Sequence, residues 1–230
     1  FKCDWSSDVC SSDLVRLFLI FMGPWDQGGP WSSSGISGIV RFLGRVWTLA
    51  LDPKGRESGD PESGKLPSGE DPAAAELHVR RAAHRAIAGV GADMEAFRFN
   101  TAVAKLMELT NTLFRYRGSE IAGGAAWSEA IAMLLRALAP LAPHLAEEMH
   151  ARVQAASGVG DGSAGWRSVH ALPWPSVEEA LITESSRELP VQVNGKLRDK
   201  LTVPATATRS EEHTSELQSH LNLVCRLLLE

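Results

Sequence analysis

Cysteine is almost missing. Three occur in 230 residues, Cys3, Cys10 and Cys225, all near the ends, so the interior offers no disulfide framework, no thiolate metal site and no nucleophilic thiol. Also missing is an apolar run of the roughly 18 to 20 residues that a membrane helix needs. The longest near the start, Val15 to Met22, is interrupted by Arg16 and follows an acidic segment, which makes it a poor secretory signal. The chain is expected in the cytoplasm, with no membrane partner. It has no glycine-rich loop to cradle a phosphate, no His/Cys cluster at metal-ligand spacing and no Ser/His/Asp set at a recognisable spacing. His144 with Glu147 and Glu148 has the look of a His-x-x-Glu ligand set, but acids in a first helical turn are ordinary complements of the helix dipole. No metal ligand and no catalytic residue is assigned. What is present, 44% apolar and 22% charged residues, excludes a fibrous or wholly disordered chain.

The ends read differently from the middle. RSEEHTSELQSH, Arg209 to His220, resembles an in-frame translation of a common sequencing-adapter DNA. The complementary strand in another frame gives DWSSDVCSSDL, which is Asp4 to Leu14. Asn222 to Glu230 fits the primer that follows such an adapter after a short index word. The codons of His220 to Asn222 and of Phe1 to Cys3 require that same word on opposite strands. Residues 1–14 and 209–230 are therefore expected to be adapter artefacts that pack poorly on the rest. They hold all three cysteines and four of the five excess negative charges. Residues 15–208 are left near neutrality, so the acidic balance says nothing about a partner.

Between the ends, apolar residues recur mostly at helical spacing. Gly23-Pro24 closes the first short run. Pro30 to Ser34 supplies cap chemistry for a helix with Ile36, Ile39, Val40, Leu43, Val46 and Trp47 on one face and Arg41 and Arg45 outside it. Leu51 to Asp71, with three Pro and four Gly, reads as a loop. Asp71-Pro72 opens a helix with Leu77, Ile87, Val90 and Met94 inward. Asn100 is expected to cap the next, whose stripe is Val103, Leu106, Met107, Thr110, Leu113 and Phe114, up to Gly118. Trp127, Ile131, Leu134, Leu135 and Leu138 mark another, closed by Pro140, and Pro143 starts a shorter one through Leu145 and Met149. None of these can bury its stripe alone, so a mainly α chain, an antiparallel helical bundle, is expected.

After the Gly-rich stretch 158–165 and Pro173-Trp174-Pro175, the period changes to two. Leu189, Val191 and Val193 alternate, as do Leu197, Leu201 and Val203, around Asn194-Gly195, a strong hairpin signal. A three-residue loop, Asn194 to Lys196, pairs Val193 with Leu197 and gathers both apolar rows on one face. That register leaves Lys196 at the tip and Arg198 and Lys200 on the solvent side. The remaining cationic groups lie on helix faces: His78, Arg81 and Arg85, with Arg80 and His84 beside them. Such a face binds phosphate or is simply solvated. Tyr116 and the tryptophans at 25, 31, 47, 127, 166 and 174 read as packing or loop anchors before base-stacking platforms.

The order of segments adds to this. FMGPWDQGGPWSSSGISGIVRFLGRVW, FRFNTAVAKLMELTN, LAPLAPHLAEEM, SVHALPWP and VQVNGKLRDKLTVPA, in this sequence, resemble the C-terminal part of bacterial leucyl-tRNA synthetases, which are class I enzymes. The resemblance implies a helical remnant of the catalytic domain over 15–23, a class I anticodon-binding-type bundle over 24–155, a linker with the PWP segment over 156–188, and a truncated start of a C-terminal tRNA-binding domain over 189–208. It implies tRNA(Leu) as partner, no DNA, and a monomer. Phosphate contacts are expected from Arg41, Arg45, Arg81, Arg85, Lys196, Arg198 and Lys200. ATP and magnesium serve the adenylation site of the whole enzyme, and no segment resembling that site or the editing domain is found here, so no cofactor is expected in this chain. The alternative is a helical scaffold or protein-interaction module with no RNA role, which has no reason to carry QVNGKLRDK after a PWP linker.

Overall fold

The computed structural model describes residues 8–27, 33–55, 66, 70–156, 167–183, 186–193 and 196–204, with side chains in 12–27, 35–55, 66, 70–156 and 167–183. Two compact units divide the chain, Phe1–Glu178 and Glu179–Glu230. The first is helical among its described residues: α1 (Asp8–Phe21), α2 (Ser33–Leu51), α3 (Pro72–Glu95), α4 (Phe99–Tyr116), α5 (Ala125–Leu138) and α6 (Pro143–Ala156), followed by a 3-10 turn at Val169–Ala171. Among the described residues no helix is long and apolar enough to cross a membrane.

Each helix is set by its stripe and its ends. Asp71 is extended and its Oδ2 accepts the Ala74 N–H at 3.4 Å, with Pro72 at the first helical position, so α3 starts where its cap chemistry places it. Its buried edge runs Ala75, Val79, Ala83, Ile87 and Val90, and it packs along both α4 and α5. Leu77, expected inward, is 39% exposed, because it stands two residues, more than half a turn, from both Ala75 and Val79. At the end of α3, Phe97 adopts φ 56°. There Arg98 N–H donates to Asp93 O at 2.8 Å and Phe97 N–H to Met94 O at 3.2 Å, a left-handed helix stop in the position glycine usually fills.

The chain turns from α3 into α4 within Ala96 to Arg98, so α4 begins at Phe99 and its cap position is Arg98, not the expected Asn100. Gly118, at φ 80°, stops α4. Its N–H donates to Pro53 O at 2.8 Å, tying the end of α4 to the loop after α2. The stripe of α5 is wholly buried as spaced, and Trp127 Nε1 donates to Leu49 O at 3.2 Å. These helices, with α1, α2 and α6, share one apolar core.

One correction concerns the start of the chain. Poor packing was expected through Leu14, yet α1 runs back to Asp8, Leu14 packs against the core, and Asp13 is fully buried. The Asp13 Oδ2 accepts the Leu145 N–H at 2.8 Å, so a carboxylate on α1 caps the first turn of α6. Residues 209–230 lie outside the described residues.

The second unit holds α7 (Glu179–Ile182) and two antiparallel strands, β1 (Ser186–Val193) and β2 (Lys196–Pro204). Here the register beside the loop differs from the expected one. Val193 pairs with Lys196 and Gln192 with Leu197, the two-residue connection that Asn-Gly favours; Asn194 and Gly195 themselves lie outside the described residues. The ladder then shifts, and Val191 pairs with Asp199 and Leu189 with Leu201. Arg198 is the extra residue of a β-bulge, and beyond it the expected pairing resumes.

Candidate nucleic-acid interface

Among the described cationic residues of the first unit some are spent inside the fold, while Arg81 and Arg85 line a groove. Arg80 and His84 are of the first kind. Arg80 Nε donates to Glu129 Oε2 at 2.6 Å and Nη2 to Glu178 Oε1 at 3.2 Å. His84, 2% exposed, accepts the Glu178 N–H on Nδ1 at 3.0 Å, which leaves the ring proton on Nε2, 3.1 Å from Glu129 Oε1. The Arg80 hydrogen bond, reinforced by His84, holds the Glu129 carboxyl below its usual range against partial burial. His84, Glu129 and Glu178 lie close enough to suggest a metal cage, but both ring nitrogens are engaged and a guanidinium occupies the carboxylates. The set fits a latch between α3, α5 and the segment after the 3-10 turn.

Arg117 is likewise internal. Its side chain is 6% exposed and its Nη2 meets Asp52 Oδ2 at 2.8 Å. Asp93, 4% exposed, takes Arg98 Nη2 at 3.0 Å and also Lys105 Nζ. Burial works against its charge, but the hydrogen bonds from Lys105, Thr101 and Arg98 prevail, and its carboxyl is held below the usual range. Glu147 Oε2 accepts from Ser168 Oγ at 2.8 Å and Val169 N–H at 2.9 Å, while Glu148 pairs with Arg152. The two acids of the His144, Glu147 and Glu148 set thus hold the 3-10 turn and a helical neighbour.

Arg81 and Arg85, one turn apart on α3, line a groove of about 280 Å³ with His78, Leu77 and Glu70. The Arg81 Nε is buried without a hydrogen-bond partner among the described residues. Glu70 is occupied by the Tyr116 hydroxyl at 2.8 Å. Tyr116 itself is fully buried, so it packs, and its ring stands 5.8 Å from that of His78. On α2, Arg41 is exposed. Arg45 is partly committed: Nη1 donates to Asn111 Oδ1 at 2.5 Å and the guanidinium lies 4.3 Å from the Phe114 ring centre, with burial lowering its pKa. The side chains of Lys196, Arg198 and Lys200 are outside the described ones. Of the tryptophans, Trp127 is core, Trp47 carries Arg152 over its ring at 4.8 Å, and Trp25 and Trp174 are exposed; Trp31 and Trp166 are outside the described residues.

One feature was not read from the sequence. Trp174, Pro173, Val169 and His170 meet Gly91 and Glu95 of α3 and Arg136 and Pro140 from the end of α5 around a cleft of about 480 Å³. These positions are separated by tens of residues, and no spacing rule joins them.

The family profile described as the anticodon-binding domain of tRNA ligase matches residues 77–213. The chain belongs to that family. The match begins at Leu77 within α3 and takes in α4 to α6 and both strands, and with them Arg81 and Arg85. A leucine–tRNA ligase of Herpetosiphon aurantiacus is 42% identical over 196 residues, 85% of this chain and 21% of the relative. One from Deinococcus radiodurans is 38% identical over 216 residues, 91% of this chain and 24% of the relative. Among solved structures, the ternary LeuRS–tRNA–LeuAMS complex of Agrobacterium radiobacter K84 aligns with TM-score 0.65 and 30% identity, covering 91% of this chain and 26% of that one. The chain thus spans about a fifth of the length of the curated relatives it matches.

Proposed function

We propose that this anticodon-binding domain is the tRNA-binding C-terminal part of a leucine–tRNA ligase, whose whole form joins leucine to tRNA(Leu) with ATP and magnesium in the cytoplasm. The observation that carries the reading is the 36–42% identity to leucine–tRNA ligases over 85–91% of the chain. The division is that of the sequence: residues 15–23 end the catalytic domain, 24–155 form the antiparallel bundle, 156–188 link, 189–208 begin the C-terminal domain, and 1–14 and 209–230 are adapter-derived. Among the described residues nothing fits ATP or magnesium, since no glycine loop there cradles phosphates and the His84–Glu129–Glu178 set is closed by Arg80. Leucine-dependent ATP–pyrophosphate exchange is expected to be absent, because adenylation needs groups preorganised around the reacting phosphate.

The work left to these residues is to hold a tRNA backbone. Arg41, Arg81 and Arg85 supply charge to phosphates, with Lys196, Arg198 and Lys200 on β2 and a smaller share from Arg45. Few contacts mean modest, salt-dependent binding by a monomer. The test is binding of a tRNA(Leu) transcript across a salt series. Arg81→Gln should weaken it and lower the slope of log affinity against log salt by about one. Affinity indifferent to salt, or equal for a neutral polymer, would refute the reading.

A further inference from the structure

The cleft around Trp174 holds polar groups that the fold leaves without partners. Arg136, half-buried at the end of α5, has its Nε sealed from solvent with no hydrogen bond, and no carboxylate among the described residues pairs with the side chain. Glu95, exposed at the end of α3, lines the same cleft and has no ion-pair partner among the described residues. Sealing even one guanidinium N–H without a partner is unfavourable, and among the described residues no salt bridge to Glu95 relieves it. Trp174 lines the cleft with them, 43% exposed, its Nε1 only 3.5 Å from where a β-carbon on Gly91 would sit. The indole thus lies close on α3, with Pro140 and Pro173 also lining the cleft.

We propose that this cleft receives one unstacked nucleobase of the bound RNA, guanine by its donor and acceptor pattern. The inference rests on the tRNA-binding reading above. An indole face is a stacking surface for any base. Arginine donors match the O6 and N7 acceptors of guanine, and a carboxylate accepts from its N1–H and N2–H. At about 480 Å³ the cleft has room to admit a base. A phosphate would meet repulsion from Glu95, and an aliphatic side chain would leave both Glu95 and Arg136 unpaired.

Two measurements on the whole chain separate this inference from the reading beneath it. In the first, a tRNA(Leu) transcript is titrated against wild type, Trp174→Ala, Trp174→Phe and Arg136→Gln, with thermal melts to establish that each variant is folded. Trp174→Ala and Arg136→Gln should each weaken binding about ten-fold, what one stacked or paired base contributes. The salt slope for Trp174→Ala should be unchanged, and Trp174→Phe should recover most of the affinity. A folded Trp174→Ala that binds as wild type overturns the cleft and leaves tRNA binding intact. In the second, GMP and ribose 5-phosphate are titrated while the Trp174 indole N–H resonance is followed. If the transcript fails to bind at all, tRNA binding is refuted, and a saturable shift with GMP but not ribose 5-phosphate still supports the cleft. The absence of any shift with GMP overturns it.

Discussion

Tyr116 is the chain's one tyrosine, and its surroundings give it a measurable signature. Burial, with the acceptor Glu70 2.8 Å away, pushes its phenol up to about 12. A phenol whose folded pKa is raised adds stability that is complete below its unfolded value of about 10 and is lost as pH rises through the folded value. Absorbance of phenolate should therefore titrate near 12 in the folded chain and near 10 in denaturant; coincident curves would show that the hydroxyl is not buried. Asp93 has the opposite sign. Its carboxyl is held low, so its contribution is present above about pH 4 and fades as the pH falls through the depressed folded value. Asp93→Asn should remove part of the acid-side loss of stability and lower stability at neutral pH by about 1.5–3 kcal/mol, what hydrogen bonds to a charged group contribute, since Arg98 and Lys105 are themselves partly exposed. Urea melts at pH 3 and pH 7 check both arms. Asp13, whose pKa burial raises despite the Leu145 N–H, works against Asp93, favouring the fold as pH falls.

Among the helices, α2 carries two glycines with opposite consequences. A β-carbon on Gly44 meets nothing within 4 Å, whereas one on Gly35 would stand 2.6 Å from Phe18 Cε2. Gly44→Ala should raise stability by about 0.5–1 kcal/mol through helix propensity, and Gly35→Ala should lower it, because α1 approaches α2 through that missing side chain. Equal shifts in the two melting temperatures would be the wrong result. The same helix shows what spacing reveals. Ile39, Leu43 and Val46 are buried as their spacing predicts, but so are Phe42 and Leu49, which a narrow stripe omits because α2 is wedged between α1, α4 and α6 and buries a wider arc. Cap chemistry was legible where side chain and backbone agree, at Asp71-Pro72, and misleading at Asn100, where the tight turn through Phe97 sets the start of α4. Arg81 and Arg85 were legible as a pair one turn apart. Arg136, Glu95 and Trp174 were not, because only the packing of α3 against α5 assembles them.

Across the whole molecule, internal ion pairs decide which charges remain for a polyanion. Arg80, Arg98, Lys105 and Arg117 are satisfied by Glu129, Asp93 and Asp52. Neutralising Arg117 should therefore destabilise the fold and leave the salt slope of tRNA binding unchanged, whereas Arg81→Gln should do the reverse. Melting curves and filter binding separate the two. The Asp13 to Leu145 hydrogen bond adds a consequence in time. Its partners lie 132 residues apart, and the Leu145 N–H in the first turn of α6 lacks this acceptor until α1 has docked. At a synthesis rate of about 5–20 residues per second, α1 emerges on the order of ten seconds before the turn it caps. Through that interval Leu17 and Phe18, both buried in the finished core, have no α6 to lie against. A nascent chain halted after α5 should thus expose α1 to proteases and chaperones, and release of α6 should protect it in a single step.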